Sequence, residues 1–209
     1  MGRYLKAKCR LCRREGTKLF IKGARCNTEK CAFTKRPNPP GMRKGMMSKP
    51  SYYAMQLREK QKVKRFYGML EKQFRRFFAL AVRNKGVTGK VLLQLLERRL
   101  DNVVYRSLLA NSRTQARQII RHGFVFTKGK RVDIPSYFVS ESQEIEIRPT
   151  EKMAKLIRAN VENAQKERSV PTWMQVDHDN LKIKIVRFPE KDDIGVSIDE
   201  QLIVELYSK

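Results

Sequence analysis

Long apolar runs are missing from this 209-residue chain. No stretch of about 18 apolar residues occurs, which excludes a helical membrane span. The opening Met1-Gly2-Arg3-Tyr4-Leu5-Lys6 has no apolar segment, so no secretory leader is expected. Met1-Gly2 does not make a myristoylation signal either, because Lys6 stands where Ser or Thr is required. Acids are scarce: 21 Asp and Glu face 46 Lys and Arg, a formal net charge of +25. Such a surplus repels itself in a compact state unless a polyanion is bound, so the expected partner is nucleic acid. Histidine is nearly absent. His122 and His178 stand apart with no nucleophile beside them, and no Gly-rich phosphate loop occurs. An enzyme would need a further catalytic domain of about 150 residues or more, and none is expected here. No small-molecule substrate is expected.

The residues that are plentiful are unevenly placed. Residues 1–50 hold fifteen Lys or Arg and two acids, Glu15 and Glu29, whereas residues 190–209 hold six acids and two bases. The front of the chain should therefore meet phosphate. The acidic tail, with Leu202-Ile203-Val204-Glu205-Leu206, should either face protein or close a core as a strand or helix on residues 51–82.

All four cysteines lie in the first 31 residues as Cys9-x2-Cys12, a thirteen-residue loop, and Cys26-x4-Cys31. Two close pairs across a short loop suit a tetrahedral four-thiolate metal centre better than a disulfide framework. Zinc is the expected metal, and an iron–sulfur cluster the alternative. Lys8, Arg10, Arg13, Arg14, Arg25 and Lys30 would offset the net negative charge of such a centre. The role is structural, since a small loop with almost no core needs a staple. Short strands and turns are expected to about residue 36. A zinc-dependent DNA reader would carry a recognition helix inside the cysteine module, and the Pro37–Gly45 stretch argues against that.

Arg36-Pro37-Asn38-Pro39-Pro40-Gly41-Met42-Arg43-Lys44-Gly45 forbids helix and reads as an extended basic arm. Ser51 is a plausible N-cap for a helix whose apolar stripe is Tyr53, Leu57, Val63, Phe66, Tyr67 and Leu70. A second helix carries Phe74, Phe77, Phe78 and Ala81 on one side. These aromatics could stack on bases, but at helical spacing they read as core. Gly86 and Gly89 break this helix pair from the next segment.

Leu92, Leu93, Leu96, Leu100, Val103 and Val104 recur at steps of three or four and form one buried helix face. Arg98, Arg99, Asp101, Asn102 and Arg106 are expected mostly on the other. Ser112 followed by Gln115 reads as a capping box. Ala116, Ile119 and Ile120 then point inward, while Arg113, Arg117 and Arg121 align four apart. Stacked guanidiniums repel one another on a bare helix and make sense against phosphates. His122-Gly123 ends that helix. Phe124-Val125-Phe126, a turn at Thr127-Lys128-Gly129-Lys130 and a returning Val132-Asp133-Ile134 make a hairpin. Val139 and Ile145-Glu146-Ile147 read as further strand, and residues 151–168 as a helix. Two short helices and a small sheet thus display Arg113, Arg117, Arg121, Lys128, Lys130 and Arg131 on one side.

The run Leu96-Glu97-Arg98-Arg99-Leu100-Asp101-Asn102-Val103-Val104-Tyr105-Arg106, followed by Ser112-Arg113, Gln115-Ala116-Arg117, His122-Gly123, Gly129-Lys130 and Ile134-Pro135-Ser136-Tyr137, closely resembles the bacterial-type small-subunit ribosomal protein four family. Gly2-Arg3-Tyr4, Cys9-Arg10-Leu11-Cys12, Leu57-Arg58-Glu59-Lys60-Gln61, Gly86-Val87-Thr88-Gly89 and the closing Leu206-Tyr207-Ser208-Lys209 extend the likeness over nearly the whole chain. The resemblance implies a primary binder of small-subunit ribosomal RNA that nucleates assembly of the subunit body in the cytoplasm. It also implies contact with small-subunit protein five and, with protein twelve, a part in translational accuracy. Carried over by position, RNA contacts fall on Arg98, Arg99, Arg106, Ser112, Arg113, Gln115, Arg117, Arg121 and Lys130. Lys128, Arg131 and the front-end Arg3, Arg13, Arg14, Arg43 and Lys44 complete the basic set. The family occurs with and without the four cysteines. This chain departs from its pattern where Ser107-Leu108-Leu109 replaces a glycine and an aromatic, where Ser142-Gln143 replaces a Gly-Asp turn, where Phe124 replaces a second histidine, and where the arm lacks a Gln-His pair.

The expected fold is α+β: an amino-terminal metal-bound loop module, a helical domain, and a small α/β RNA-binding module with two helices packed on an antiparallel sheet. Its expected divisions are residues 1–45, residues 46–96 joined by the tail 190–209, and residues 97–189.

Overall fold

A computed structural model describes residues 4–41 and 49–208. Arg3, Arg43 and Lys44, named above as RNA contacts, lie outside the described residues. The chain is α+β and divides into two compact units, Met1–Leu92 with Val196–Lys209, and Leu93–Gly195. No helix among the described residues is long and apolar enough to cross a membrane.

The first unit begins with α1 (Cys9–Glu15), a single 3-10 turn at Gly23–Cys26 and the short α2 (Ala32–Lys35). The turns expected here are present, but the structure corrects the expectation of strands: the regular elements among the described residues of the cysteine segment are short helices. A C-x2-C spacing places Cys9 and Cys12 one helical turn apart, and Gly16 stops α1 in the left-handed conformation at φ +66°, which glycine adopts at little cost. Glu15, its side chain 1% exposed, ties α1 to α3 (Tyr52–Phe66) through Arg58, at 3.3 Å, and through Arg65. Burial outweighs these two guanidiniums and pushes the Glu15 carboxyl up.

Ser51 caps α3 as expected, accepting from the Ala54 N–H at 3.2 Å. The buried stripe differs from the apolar one read in the sequence. Gln56, Lys60, Val63 and Phe66 are buried on α3, while Tyr53 and Leu70 are exposed. The polar members go inside because they find partners there. Gln56 donates to Glu205 at 2.9 Å and Lys60 to Glu71 at 2.9 Å. Glu71 opens α4 (Glu71–Arg83) and also accepts from Lys64 at 2.9 Å and the Tyr207 hydroxyl at 3.1 Å. Phe74, Phe77 and Ala81 form the buried face of α4, and Phe78 stacks on Tyr207 at 4.4 Å. The acidic tail is α9 (Glu200–Tyr207), capped by Asp199 and packed along α3; of the alternatives for the tail, it is the helix that closes this core. Gly89 does not break the chain. It lies inside α5 (Thr88–Glu97), where a Cβ would collide with the Glu200 side chain.

The second unit holds the end of α5, α6 (Leu100–Arg106), α7 (Arg113–Arg121), β1 (Val125–Thr127), β2 (Lys130–Arg131), β3 (Glu144–Ile147), α8 (Glu151–Gln165), β4 (Met174–Asp177) and β5 (Lys182–Ile185). The strands form one antiparallel sheet in the order β2-β1-β3-β5-β4. Alternation sends Val125, Ile145, Ile147, Ile183 and Ile185 to one face. There they join Ile119, Ile120, Ile157 and Trp173 in a single buried core. Burying such side chains contributes roughly 1.5–3 kcal/mol each.

The β1–β2 hairpin pairs Thr127 with Lys130. Its two loop residues, Lys128 at φ +49° and Gly129 at φ +73°, make the tight turn that matches strand twist. The returning strand is Lys130–Arg131, ahead of the expected Val132-Asp133-Ile134, because the turn closes on Lys128-Gly129 alone. Residues 132–139 serve α6 instead: Pro135 and Tyr137 carbonyls accept the Asp101 and Leu100 N–H groups at 3.0 and 2.9 Å, satisfying donors left open at a helix start. Val139 is accordingly buried core outside any strand.

Candidate nucleic-acid interface

Much of the arginine-rich stretch from Glu97 to Arg117 folds inward. Arg99, fully buried, grips Asp101 with both arms of its guanidinium, at 3.0 and 2.6 Å. Arg117 lies 3.6 Å from the same carboxylate. Glu97, also fully buried, accepts two bonds from Arg106, at 3.1 and 2.9 Å, and one from Asn102 at 2.6 Å. The Asn102 carbonyl oxygen in turn accepts from Arg113 at 2.9 Å. The expectation that Arg98, Arg99, Asp101, Asn102 and Arg106 occupy an outer face is therefore corrected. Asp101 and Asn102 are buried with Arg99, and Arg106 is half-buried. Charges enter a core only when paired and hydrogen-bonded, and Glu97 and Asp101 supply those pairs.

The aligned column on α7 is graded. Arg113 and Arg117 are each 8% exposed, and only Arg121 stands in solvent. The repulsion expected among the three is relieved from inside the module, by the Asp101 carboxylate at Arg117 and by the Asn102 amide oxygen and the Tyr105 ring at Arg113. Arg121 lies 3.8 Å from Asp133, with both side chains more than half exposed, a pairing worth little. The start of α7 comes close to the expected capping box. Ser112 Oγ accepts from the Gln115 N–H at 3.3 Å, while Gln115 Oε1 reaches back one residue further than predicted, to the Asn111 N–H at 2.7 Å.

Beyond the column, Lys128, Lys130 and Arg131 project into solvent from the β1–β2 hairpin. Arg131 lies over Gly123, which stands at φ +78° just past α7; a Cβ at Gly123 would run into its guanidinium. Two features therefore demand glycine there, and together they seat Arg131 near the negative end of the α7 dipole. Arg98 is half-buried. It donates to the Val139 carbonyl at 3.0 Å and stacks 4.1 Å over Phe188, and burial pushes its pKa down. Arg121, Lys128, Lys130 and Arg131 thus form an exposed cationic rim, while Arg98, Arg99, Arg106, Arg113 and Arg117 are engaged within the module. Glu97 and Asp101, absent from the sequence-derived set, organise it. Their four-residue spacing among arginines was the available signal.

The cysteine knot is a separate matter. Cys12, Cys26 and Cys31 are buried and Cys9 half-buried, all as free thiols. They are electrostatic neighbours. Burial pushes Cys12 and Cys26 up, and the other cysteines push them further. Burial also opposes ionisation of Cys31, but main-chain N–H groups of Thr34 and Phe33 outweigh it and bring that thiol down. N–H groups of Leu19 and Lys22 likewise meet Cys12 and Cys26. Four sulfurs, three of them met by N–H donors, fit a thiophilic metal chemically. Yet among the described residues no three His, Cys, Asp or Glu side chains surround a common point at ligating geometry. Of the front-end bases, Arg14 is exposed. Arg13 is turned to the arm, donating to the Asn38 and Pro39 carbonyls at 2.8 and 3.4 Å.

Comparison with known proteins matches two successive segments of the chain. Residues 3–97 match the family model of the ribosomal protein S4/S9 N-terminal domain, and residues 98–145 match the S4 domain. The chain is 51% identical over 209 residues to small ribosomal subunit protein uS4 of Thermodesulfovibrio yellowstonii, with all of both chains covered. It is 50% identical over 210 residues to the uS4 protein of Thermus thermophilus and 53% identical over 209 residues to that of Maridesulfovibrio salexigens, again with full coverage of each. Likeness of this extent, from the cysteine knot through the rim to α9, makes this chain a member of the uS4 family of small ribosomal subunit proteins.

Proposed function

We propose that this chain is a structural, ribosomal-RNA-binding constituent of the small ribosomal subunit, working in the ribosome in the cytoplasm and not as an enzyme. The observation that carries the reading is the exposed rim of Arg121, Lys128, Lys130 and Arg131 on a module held rigid from within. Cations on a fixed frame neutralise phosphates at set spacings and release counterions, and backbone and hydroxyl groups near them fix register on folded RNA. Ser112 and Gln115, half-buried at the start of α7, belong to this second class. Arg98, Arg106, Arg113 and Arg117 support it by holding the helices that carry the rim. Arg14, and the basic arm beyond it, supply further RNA contacts from the front of the chain.

The finer reading has three parts. The chain binds its RNA early and nucleates the subunit body. It contacts small-subunit protein five, with a functional link to protein twelve, and so contributes to translational accuracy. Its cysteine knot takes up zinc on Cys9, Cys12, Cys26 and Cys31, an iron–sulfur cluster being the alternative. The metal would supply folding energy and no chemistry. The N–H groups that meet three of the sulfurs support this last part, because such bonds favour thiolate over thiol.

Sedimentation of tagged full-length chain from cell lysates tests the main reading. Co-migration with small subunits is expected, and migration solely as a free species would overturn it. Metal analysis of the purified chain tests the last part: about one zinc per chain is expected, and a metal-free, folded knot would refute it.

A further inference from the structure

Tyr105 is 8% exposed and sits on α6 under the start of α7. Two guanidiniums crowd its ring. That of Arg113 lies 4.5 Å from the ring centroid and that of Arg168 lies 4.1 Å from it. Arg168 also donates to the Ala110 carbonyl at 2.8 Å, a contact spanning 58 residues of chain. Ala110 is fully buried in the turn that leads from α6 into α7. Arg168 itself follows α8, closing onto it through its N–H to the Ala164 carbonyl at 2.9 Å. It lies outside the residues 98–145 that match the S4 domain.

We propose that Arg168 is a positioning residue for RNA binding, pinning the turn that starts α7 from a helix the small domain does not include. The proposal rests on the RNA-binding reading above and adds to it the device that aims the α7 amino end. The turn needs such a device. Leu108, at φ +68°, sits in a left-handed conformation that a non-glycine residue adopts only at a cost, so the α6–α7 connection is strained and gains from an outside hold. Arg168 meets the requirement twice, by its cation–π contact with the Tyr105 ring and by a charge-assisted bond to the backbone two residues before Ser112. One guanidinium makes both contacts at once, which the compact ammonium of a lysine would not reproduce. The same ring carries Arg113, so displacement of Tyr105 would shift the first arginine of the α7 column along with the Ser112 and Gln115 pair.

The test compares full-length wild type, Arg168→Ala, Arg168→Lys and Lys130→Ala in filter-binding titrations against a small-subunit ribosomal RNA fragment over a salt series. Arg168→Ala should lose affinity on the order of fivefold to tenfold while keeping the wild-type slope of log affinity against log salt. Lys130→Ala should reduce that slope by about one. Arg168→Lys, which retains the charge and serves as the milder fold-preserving variant, should recover only part of the affinity. In the free protein, Arg168→Ala should speed amide hydrogen exchange at residues 110–113 and leave the core strands protected. Unchanged affinity in Arg168→Ala, a slope reduced by about one as for a phosphate contact, full recovery by lysine, or unchanged exchange at residues 110–113 would each overturn the proposal. If wild type fails to bind the fragment, the RNA-binding reading fails instead, and the exchange experiment still decides whether Arg168 holds the turn.

Discussion

Arg99, Arg113 and Arg117 and the exposed Arg121, Lys128, Lys130 and Arg131 occupy one module and one 33-residue stretch of chain, yet their surroundings differ in kind. The first group is buried against Asp101, Asn102 and Tyr105; the second stands in water with at most a distant acid nearby. Buried charges that are fully paired stabilise little in themselves, but removing one partner is strongly destabilising because the other is left uncompensated. Exposed cations barely affect stability and are available to phosphate. The difference teaches that positive charge alone does not mark an RNA contact: burial separates cations that build the frame from cations that use it.

The sharpest way to break this comparison is to remove the internal acid. Asp101→Asn leaves Arg99 and Arg117 without their carboxylate and should lower stability by about 3–5 kcal/mol in urea denaturation. A loss no larger than that of Arg121→Ala would erase the distinction. Next in size is the rim itself. Replacing Lys128, Lys130 and Arg131 together by Ala should leave the unfolding midpoint within experimental scatter. It should also flatten the salt dependence of RNA affinity by about 0.7–0.9 per cation lost, read by filter binding.

A third test uses acid in the first unit, where paired and buried carboxylates also diverge. Burial alone would raise Glu71, but hydrogen bonds from Lys64 and Lys60 and their charges hold it at about 2, below its ordinary 4.5. A depressed folded value means the stabilisation is full above 4.5 and is lost as pH falls toward 2. Glu15 is shifted upward by burial, so its contribution runs the other way and is lost as pH rises through its folded value. Glu71→Gln should remove the acid-side loss of stability below pH 4.5, whereas Glu15→Gln should leave it in place; thermal melts across pH 2–7 check both. The smallest expected effect is at Ser142, exposed at φ +56°. Ser142→Gly should stabilise by about 0.5–1 kcal/mol through relief of left-handed strain, measured by the melting temperature.

Much of the second unit was legible because local signals agreed with one another. Ser112 as cap, Gly123 as stop and Lys128-Gly129 as turn all act through their own backbone geometry, which spacing encodes. The buried network was not legible, because periodicity assigns charged residues to the outside. Arg99 and Asp101 go in only because each supplies the other's partner. Gln56 and Lys60 on α3 are hidden from periodicity for the same reason, their partners Glu205 and Glu71 being 149 and 11 residues away. The helical form of the cysteine loop is not encoded in the ligand spacing, which says which residues meet and little about the backbone between them. Leu108 and Ser142 show the reverse case. Both depart from the family pattern near its glycines, and both carry positive φ, so the sequence marked the place of strain without stating its form.

The division of labour between buried and exposed cations is tested most directly by the salt dependence of RNA affinity in two variants of the same full-length chain. Arg117→Ala, which trims the buried group, should lower affinity and stability while keeping the wild-type salt slope. The triple alanine variant of Lys128, Lys130 and Arg131 should keep stability and lose slope. Equal slopes in wild type and the triple variant, or a slope lost only in Arg117→Ala, would contradict the account.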